Sequence, residues 1–495
     1  MTAKARWWAL TAVSLATLMT YLDNNVINVA IPTIQRSLHL SVSGLEWIVS
    51  SYLLVLAGLL LAGGRVADIY GRRRVFLTGL VIFTLSSLAA GLAGSGGFLI
   101  GARAVQGLGG ALLMPAALAI ISHVFTDVRE RTMAIGIWGA VGALGLGLGP
   151  VIGGVISQHV HWGWIFLINV PLGVITFAIA VPSVPESRAE GHARRLDIPG
   201  LVISAVALFA LTYALIEGPV SGWTSARIVA SFAVAALAGA VFLAVETRGQ
   251  QPMVPLAIFR NRAFSGGIVT MMIWAFGILG IYFFTSLYLQ RILGFSPTEA
   301  GLAFVPMAFA IAVAATLAPR VTALIGAHRT VSFGLLLMVA GLIMIVRLGA
   351  GAGFGSLMPG FVLFGVGAGL MNVPLTNAVL EGAPTRQAGI ASALLNDSRE
   401  VAGLLGITVI GAVLSTRESS ALRGGVPAHQ AFIDGYHTGL WVAIGLLAAG
   451  VVLSYVSLRP RPAAQGEVSE VPEASEAVAV AQELEALEAE DVRPV

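Results

Sequence analysis

Apolar runs of about twenty residues recur fourteen times along this chain, each closed by a short polar break. A helix that crosses a bilayer needs roughly 20 such residues. Backbone placed in lipid can satisfy its own polar groups only as helix or as closed barrel. The runs fall near 9–30, 45–63, 75–94, 98–122, 132–156, 164–182, 198–216, 226–245, 264–289, 299–318, 330–347, 355–379, 388–414 and 438–457. They predict an all-α polytopic membrane protein.

Charge supports that reading and orients it. Only 11% of residues are charged, against about 25% in soluble domains. Lys4 is the sole lysine, so the other 27 of 28 basic residues are arginines. No phosphate loop of the form G-x-x-x-x-G-K-[ST] can follow it, and no ATP partner is expected. The net charge of +3 is spread over short loops, which argues against a nucleic-acid face. The absence of cysteine removes thiolate metal sites and cysteine nucleophiles. No metal, cofactor or catalytic constellation is predicted. With both termini inside, the proposed inner segments hold eighteen basic residues, from Lys4 and Arg6 to Arg459 and Arg461; the outer loops hold five, Arg36, Arg291, Arg347, Arg417 and Arg423. That asymmetry predicts cytoplasmic termini and an even number of spans in a cytoplasmic (inner) membrane.

The chain also echoes itself. Gln35-Arg36 with Leu38 and Ser41 returns as Gln290-Arg291 with Leu293 and Ser296, and Arg65-Val66, Gly71 and Arg74 return as Arg320-Val321, Gly326 and Arg329. Gly107-x-Gly109-Gly110 is answered by Gly365-x-Gly367-Ala368. Three matches in order predict two parallel six-helix repeats. The expected division is 1–182 for the first bundle, 183–262 for a linker with two extra spans, and 263–459 for the second bundle. Residues 460–495, with nine acidic side chains from Glu467 to Asp491, read as a solvated disordered tail.

Ionisable groups inside a span are costly and normally serve a pathway or a partner. The first span carries Asp23, Asn24 and Asn28; a carboxyl sheltered there is a candidate proton carrier, or else part of a structural hydrogen-bonding cluster. Arg103 and Gln106 lie in the fourth span, where arginine needs an acid, carbonyls or water. The thirteenth holds Asn396, Asp397, Arg399 and Glu400, which bind a proton or substrate or neutralise one another. The fifth span gathers Gly145, Gly149, Pro150, Gly153 and Gly154, spacing that lets helices approach closely. Between the second and third runs, Gly64, Asp68, Gly71, Arg72 and Arg73 read as a tight cytoplasmic loop. Asp68 there suits an arginine or the start of a neighbouring helix.

Several of these strings resemble known signatures. Gly64-Arg65-Val66-Ala67-Asp68-Ile69-Tyr70-Gly71-Arg72-Arg73 resembles the loop G-x-[LV]-A-D-x-x-G-R-R of the major facilitator superfamily. Leu22-Asp23 through Pro32 resembles L-D-x-T-x-x-N-x-A-x-P of its 14-span drug–proton antiporter branch, with Asn25 in place of threonine. Arg103-x-x-Gln106-Gly107 resembles R-x-x-Q-G. Gly145 to Gly154 resembles the antiporter motif G-x-x-x-G-P-x-x-G-G, and Trp162 to Gly173 a further stretch of that branch, with Gly163 where arginine is usual. The resemblance covers nearly all of residues 8–458. It implies the major facilitator fold with two six-helix bundles and two inserted spans. It implies a secondary active transporter rather than an enzyme, exporting an amphiphilic drug or antibiotic against protons. Asp23, Arg103, Asp397, Arg399 and Glu400 would couple protons, with Asn24, Asn28, Gln106 and Asn396 in the cavity and the Asp68–Arg72 loop as gate. A proton-coupled uptake symporter of the same fold, or a membrane-embedded enzyme, are the alternatives.

Overall fold

The computed structural model describes residues 3–188, 197–248, 254–349, 351–384 and 387–459. Every predicted span is helical. The helices are α1 Ala3–Leu38, α2 Val42–Tyr70, α3 Arg72–Gly91, α4 Gly96–Val124, α5 Val128–His159, α6 Trp164–Leu167, α7 Asn169–Ser183 and α8 Ile198–Ser221. They continue as α9 Ala226–Arg248, α10 Arg262–Arg291, α11 Pro297–Ala303, α12 Val305–Ile325, α13 Ala327–Val346, α14 Phe354–Glu381, α15 Ala388–Arg423 and α16 Ala428–Ser457. α6 with α7 makes the sixth span and α11 with α12 the tenth. Thirteen spans are long and apolar enough to cross a membrane among the described residues. α1 falls below that mark because Asp23, Asn24, Asn25 and Asn28 dilute its apolar run. The acidic tail, 460–495, lies outside the described residues.

Several helices outrun their apolar stretches. α16 begins at Ala428, not at 438, and α15 continues past 414 to Arg423. A helix ends where its backbone is interrupted, not where its side chains turn polar. Gly424 and Gly425 provide that break, with Gly425 at φ 81°, and Pro427 then caps α16.

The repeat is visible in the packing. α1 lies on α5 and α7, α2 on α4, and α3 on α4 and α7; in the same relation α10 lies on α15 and α16, α12 on α14, and α13 on α14 and α16. The glycines show the correspondence at atomic scale. A Cβ at Gly107 would come within 2.4 Å of the Tyr52 carbonyl, and one at Gly365 within 2.5 Å of the Met307 carbonyl. Gly109 presses on the Phe83 backbone nitrogen at 2.7 Å, and Gly367 on that of Met338 at 2.8 Å. Bare backbone at these points lets helices approach to the distance at which van der Waals packing holds a bundle together in lipid. The inserted pair α8–α9 packs on itself and, through α8, on α2 and α15.

The stretch Gly64–Arg74, expected to be a tight loop throughout, is helix at all but one residue. α2 runs through Gly64 and Asp68 to Tyr70, and α3 starts at Arg72. Gly71 alone makes the reversal, at φ 111°. The region is too short to leave helix, because α2 and α3 are antiparallel neighbours. Arg72 donates to Asp68 Oδ1 from Nη2 at 3.0 Å and from Nε at 3.2 Å, as its charge predicts. The start of α3 is served instead by Glu186, whose Oε1 accepts from the Arg73 backbone nitrogen at 3.2 Å. Gly71→Ala should therefore cost more than about 1 kcal/mol: its Cβ would meet Glu186 Oε1 at 2.5 Å, and its φ suits glycine. Thermal unfolding in detergent reads this, and an unchanged midpoint would count against it.

Candidate functional site

Asp23, at the middle of α1, is fully buried, as are Arg103 and Gln106 on α4. Arg103 Nη1 donates to Asp23 Oδ2 and to Gln106 Oε1 at 2.7 Å. Gln106 Nε2 donates to Asp23 Oδ1 at 2.8 Å and to Ser87 Oγ on α3 at 2.7 Å. Asn169, first residue of α7, donates to the same Oδ1 at 3.0 Å. Arg103 Nε reaches the Ile48 carbonyl on α2 at 3.3 Å, and its guanidinium carbon stands 4.3 Å from the Tyr52 ring centroid. Three helices thus meet on one carboxylate, and α2 and α3 hold its two partners on α4. Three donors converge on it, the number an ionised carboxylate readily accepts. A proton added to Asp23 would remove an acceptor and release at least one of these donors.

The second predicted cluster lies on α15. Arg399 donates to Glu400 Oε1 from Nη2 at 3.0 Å and from Nε at 3.3 Å. Its Nη2 also donates to the Tyr21 hydroxyl on α1 at 2.9 Å. Glu400 is buried. Asp397 stands apart from the ion pair, and its buried Oδ1 has no hydrogen-bond partner. Asn396 turns its amide back to the Ser392 carbonyl at 2.9 Å. On α1, Asn28 does the same to the Asn24 carbonyl at 3.3 Å. Asn24 and Asn28 are thus on one face, as their spacing predicts. Tyr52 links the two clusters: it lies within electrostatic reach of Asp23 and Arg103 on one side and of Glu400 and Tyr21 on the other.

Sequence reasoning missed Tyr21, Tyr52 and Ser87, and it did not assign Asn169 to Asp23. Tyrosine and serine in an apolar run look like packing. Asn169, buried between tryptophan and proline, was the one legible signal.

The fifth-span glycines form a seam. Gly149 and Gly153 admit α1: a Cβ at Gly153 would lie 2.3 Å from the Val26 carbonyl, and one at Gly149 2.6 Å from Asn25 Cβ. Gly145 also faces α1, at 3.1 Å from the Leu18 carbonyl. Gly154 and Pro150 face the other repeat. A Cβ at Gly154 would fall 2.4 Å from the Pro297 carbonyl, and one at Gly301 2.3 Å from the Pro150 carbonyl. Nearby, Gln290 Nε2 donates to the Val29 carbonyl at 2.9 Å, Thr298 N to Gln158 Oε1 at 3.1 Å, and Arg291 to Gln35. Among the described residues these side-chain bonds and Arg399–Tyr21 join the two repeats. The glycine contacts and the Gln290, Thr298 and Arg291 bonds lie toward the end where α1, α5, α10 and α15 finish, so the molecule is sealed at that end; Arg399–Tyr21 joins the middle of α1 to the first third of α15. At the opposite end, Arg72 and Arg73 bond within the first repeat, Arg72 N to the Ser187 carbonyl at 2.9 Å.

Comparison with known proteins supplies the family. The Major Facilitator Superfamily profile matches residues 13–407. The chain is 34% identical over 475 residues to the puromycin resistance protein pur8 of Streptomyces alboniger, covering 93% of each. It is 36% identical to the tetracenomycin C resistance and export protein of Streptomyces glaucescens, over 83% of this chain and 76% of that one. The multidrug resistance protein Stp of Mycobacterium tuberculosis matches at 36%, over 83% and 76%. Among solved structures, a bacterial homologue of the human lysosomal transporter Spinster, inward-facing and unoccupied, superposes with a TM-score of 0.66 at 17% identity, covering 94% of this chain and all of the other. The POT family transporter PepTSo superposes with a TM-score of 0.69 at 14% identity, covering 92% and 98%.

Proposed function

This chain belongs to the major facilitator superfamily, and from that premise we propose that it exports an amphiphilic drug or antibiotic across the cytoplasmic membrane in exchange for protons, conferring resistance. Relatives along most of its length are named for antibiotic resistance and export. The observation that carries the coupling is the fully buried Asp23–Arg103 pair, joined by two tyrosines to an arginine–glutamate pair in the other repeat.

With the termini in the cytoplasm, as the arginines indicate, the sealed end faces outward. The bundles 1–182 and 263–459 rock about the central cavity, with 183–262 supplying the inserted pair. A proton on Asp23 loosens Gln106, Asn169 or Arg103. Tyr52 passes the change toward Glu400, and the Arg399–Tyr21 bond between the repeats responds. Asp397, whose Oδ1 is unpartnered, and Asn24 are left to meet a substrate, joined by Asn28 and Asn396 when their amides leave the Asn24 and Ser392 carbonyls. Asp23 itself is fully engaged in this state, which supports a proton rather than the drug as its ligand. When the outer seam parts, the Asp68–Arg72 end closes. The Asp68 and Arg73 contacts then latch it.

The driving force suffices. One proton moving down about 100 mV and one pH unit releases about 2.3 plus 1.4 kcal/mol, enough for roughly a 500-fold substrate gradient. In proteoliposomes loaded acidic, a transported antibiotic added outside should accelerate proton efflux, and Asp23→Asn should abolish that response. If the variant still couples, the proton site moves to Asp397 or Glu400; if no compound in a broad panel moves protons, the antiport assignment is wrong.

A further inference from the structure

Glu46 takes no part in the scheme above, yet it is the most isolated charge-bearing group in the outer seam. It lies in the second turn of α2, 2% exposed, and makes no hydrogen bond or ion pair among the described residues. Its carboxyl rests on the backbone of Gly411 of α15, in the other repeat. A Cβ on that glycine would fall 2.3 Å from Oε1 and 2.8 Å from Oε2. The charge that acts on it is another acid, Glu217 of the inserted helix α8. Glu217 Oε1 accepts from Trp47 Nε1 on α2 at 2.9 Å. Just beyond that inserted helix, in the turn to α9, Trp223 Nε1 donates to Thr416 Oγ1 of α15 at 3.2 Å. First repeat, second repeat and insertion therefore converge on one carboxyl.

Among the described residues, no cation is paired with it. α2 packs against α1, α3, α4, α8 and α15. α1 presents Asp23, carries Lys4 and Arg6 at its far end, and holds Arg36 exposed in its last turn with Nε turned to the Pro32 carbonyl; α4 presents Arg103, whose charge is committed to Asp23. α3 carries charge only at Arg72, Arg73 and Arg74, at the far end. On α15, Arg399 is paired with Glu400, Glu418 lies opposite Arg291, and Arg417 is exposed. Glu217 is the only charged residue in α8. A second negative charge beside it, in an apolar seam with 2% of the residue exposed, has no paired counter-ion and little solvent to stabilise it.

We propose that Glu46, with Glu217 beside it, is a proton-binding site that governs the outer seam: the seam shuts over a protonated Glu46 and parts when that proton leaves to the outside. Parting α2 from α15 lifts the Gly411 backbone off the carboxylate and gives it water. The proton enters and leaves on the same face, so it regulates opening and is separate from the one carried by Asp23. The inference rests on the alternating-access reading for what opening accomplishes, but its test needs no substrate.

The native chain has no cysteine, so spin labels at Ser43→Cys on α2 and Ser419→Cys on α15 report the seam without background. In the full-length protein in nanodiscs, without drug or gradient, the longer-distance population should grow as pH rises. Glu46→Gln should hold the short distance at every pH. Glu217→Gln, whose amide oxygen can still accept from Trp47, should shrink the pH-driven swing. A seam that does not respond to pH in the unsubstituted background, or one that responds unchanged in Glu46→Gln, overturns the proposal. If Glu46→Gln does not fold, an unchanged swing in Glu217→Gln does so. Absence of drug-driven proton flux with an intact seam response would instead sink the exporter reading alone.

Discussion

Arg103→Ala should be among the most destabilising single changes in this protein, lowering stability by about 3–5 kcal/mol. The reason is what remains behind. Asp23 would keep its two amide donors, Gln106 at 2.8 Å and Asn169 at 3.0 Å, but lose its only counter-charge in a site with no exposed surface. Gln106 Oε1 would lose a donor as well, and Tyr52 would face a void where the guanidinium stood. Removing both charges is a different experiment. Asp23→Asn with Arg103→Gln leaves neutral groups of similar size that can hydrogen-bond to one another, and replacing a buried pair in this way is often neutral. The double variant should therefore recover most of the thermal midpoint that Arg103→Ala loses while remaining unable to couple protons. A stable Arg103→Ala protein would show that the pair does not hold the bundle. A double variant that still exchanges drug for protons would show that it does not carry the coupling.

Gly154→Leu should abolish transport without unfolding either repeat. The Cβ it adds would lie 2.4 Å from the Pro297 carbonyl and 2.9 Å from its carbon. Both atoms belong to the backbone at the start of α11, where the Ser296–Glu299 capping box fixes the chain, so neither can step aside cheaply. The repeats must separate there, and the outer seam stays open. A label pair across α5 and α11 should report a long distance at all times, and substrate turnover should stop. Gly139→Leu on the same helix, where a Cβ meets nothing within 4 Å, is the control for helix propensity. Equal loss in both variants would place the effect in α5 itself rather than in the contact.

The sequence was most informative where lipid is the strictest judge. Apolar run length located every span, because backbone in lipid has no alternative to helix. The same logic made Asp23, Arg103, Gln106, Arg399 and Glu400 conspicuous, since polar groups in such runs need a reason. It could not tell which would find each other. The Asp23–Asn169 contact depends on how α1 and α7 rotate, and the Arg399–Tyr21 bond joins residues from opposite repeats. Helix ends were misread for the opposite reason: polar residues near an interface are compatible with loop or helix, so Gly64 to Tyr70 looked like loop and is helix. Glu186 and Glu46 escaped notice because each lies beside a predicted loop, where a carboxylate is unremarkable until its neighbours are known.

The Gly154–Pro297 and Gly301–Pro150 contacts bear on speed as well as on shape. A seam closed by interlocking long side chains must freeze their rotamers each time it forms, at up to about 1.5–2 kcal/mol for each flexible one. These glycines have no rotamers to lose, and the carbonyls they meet are already fixed in helices. On the proposed alternating-access reading, this part of the barrier to the exterior is assembled and dismantled in every cycle with little entropic penalty, the rotamer cost falling on the few long side chains beside it, Gln290, Arg291 and Gln158. Its two arrangements can lie close in free energy, so that a single proton can tip the balance between them.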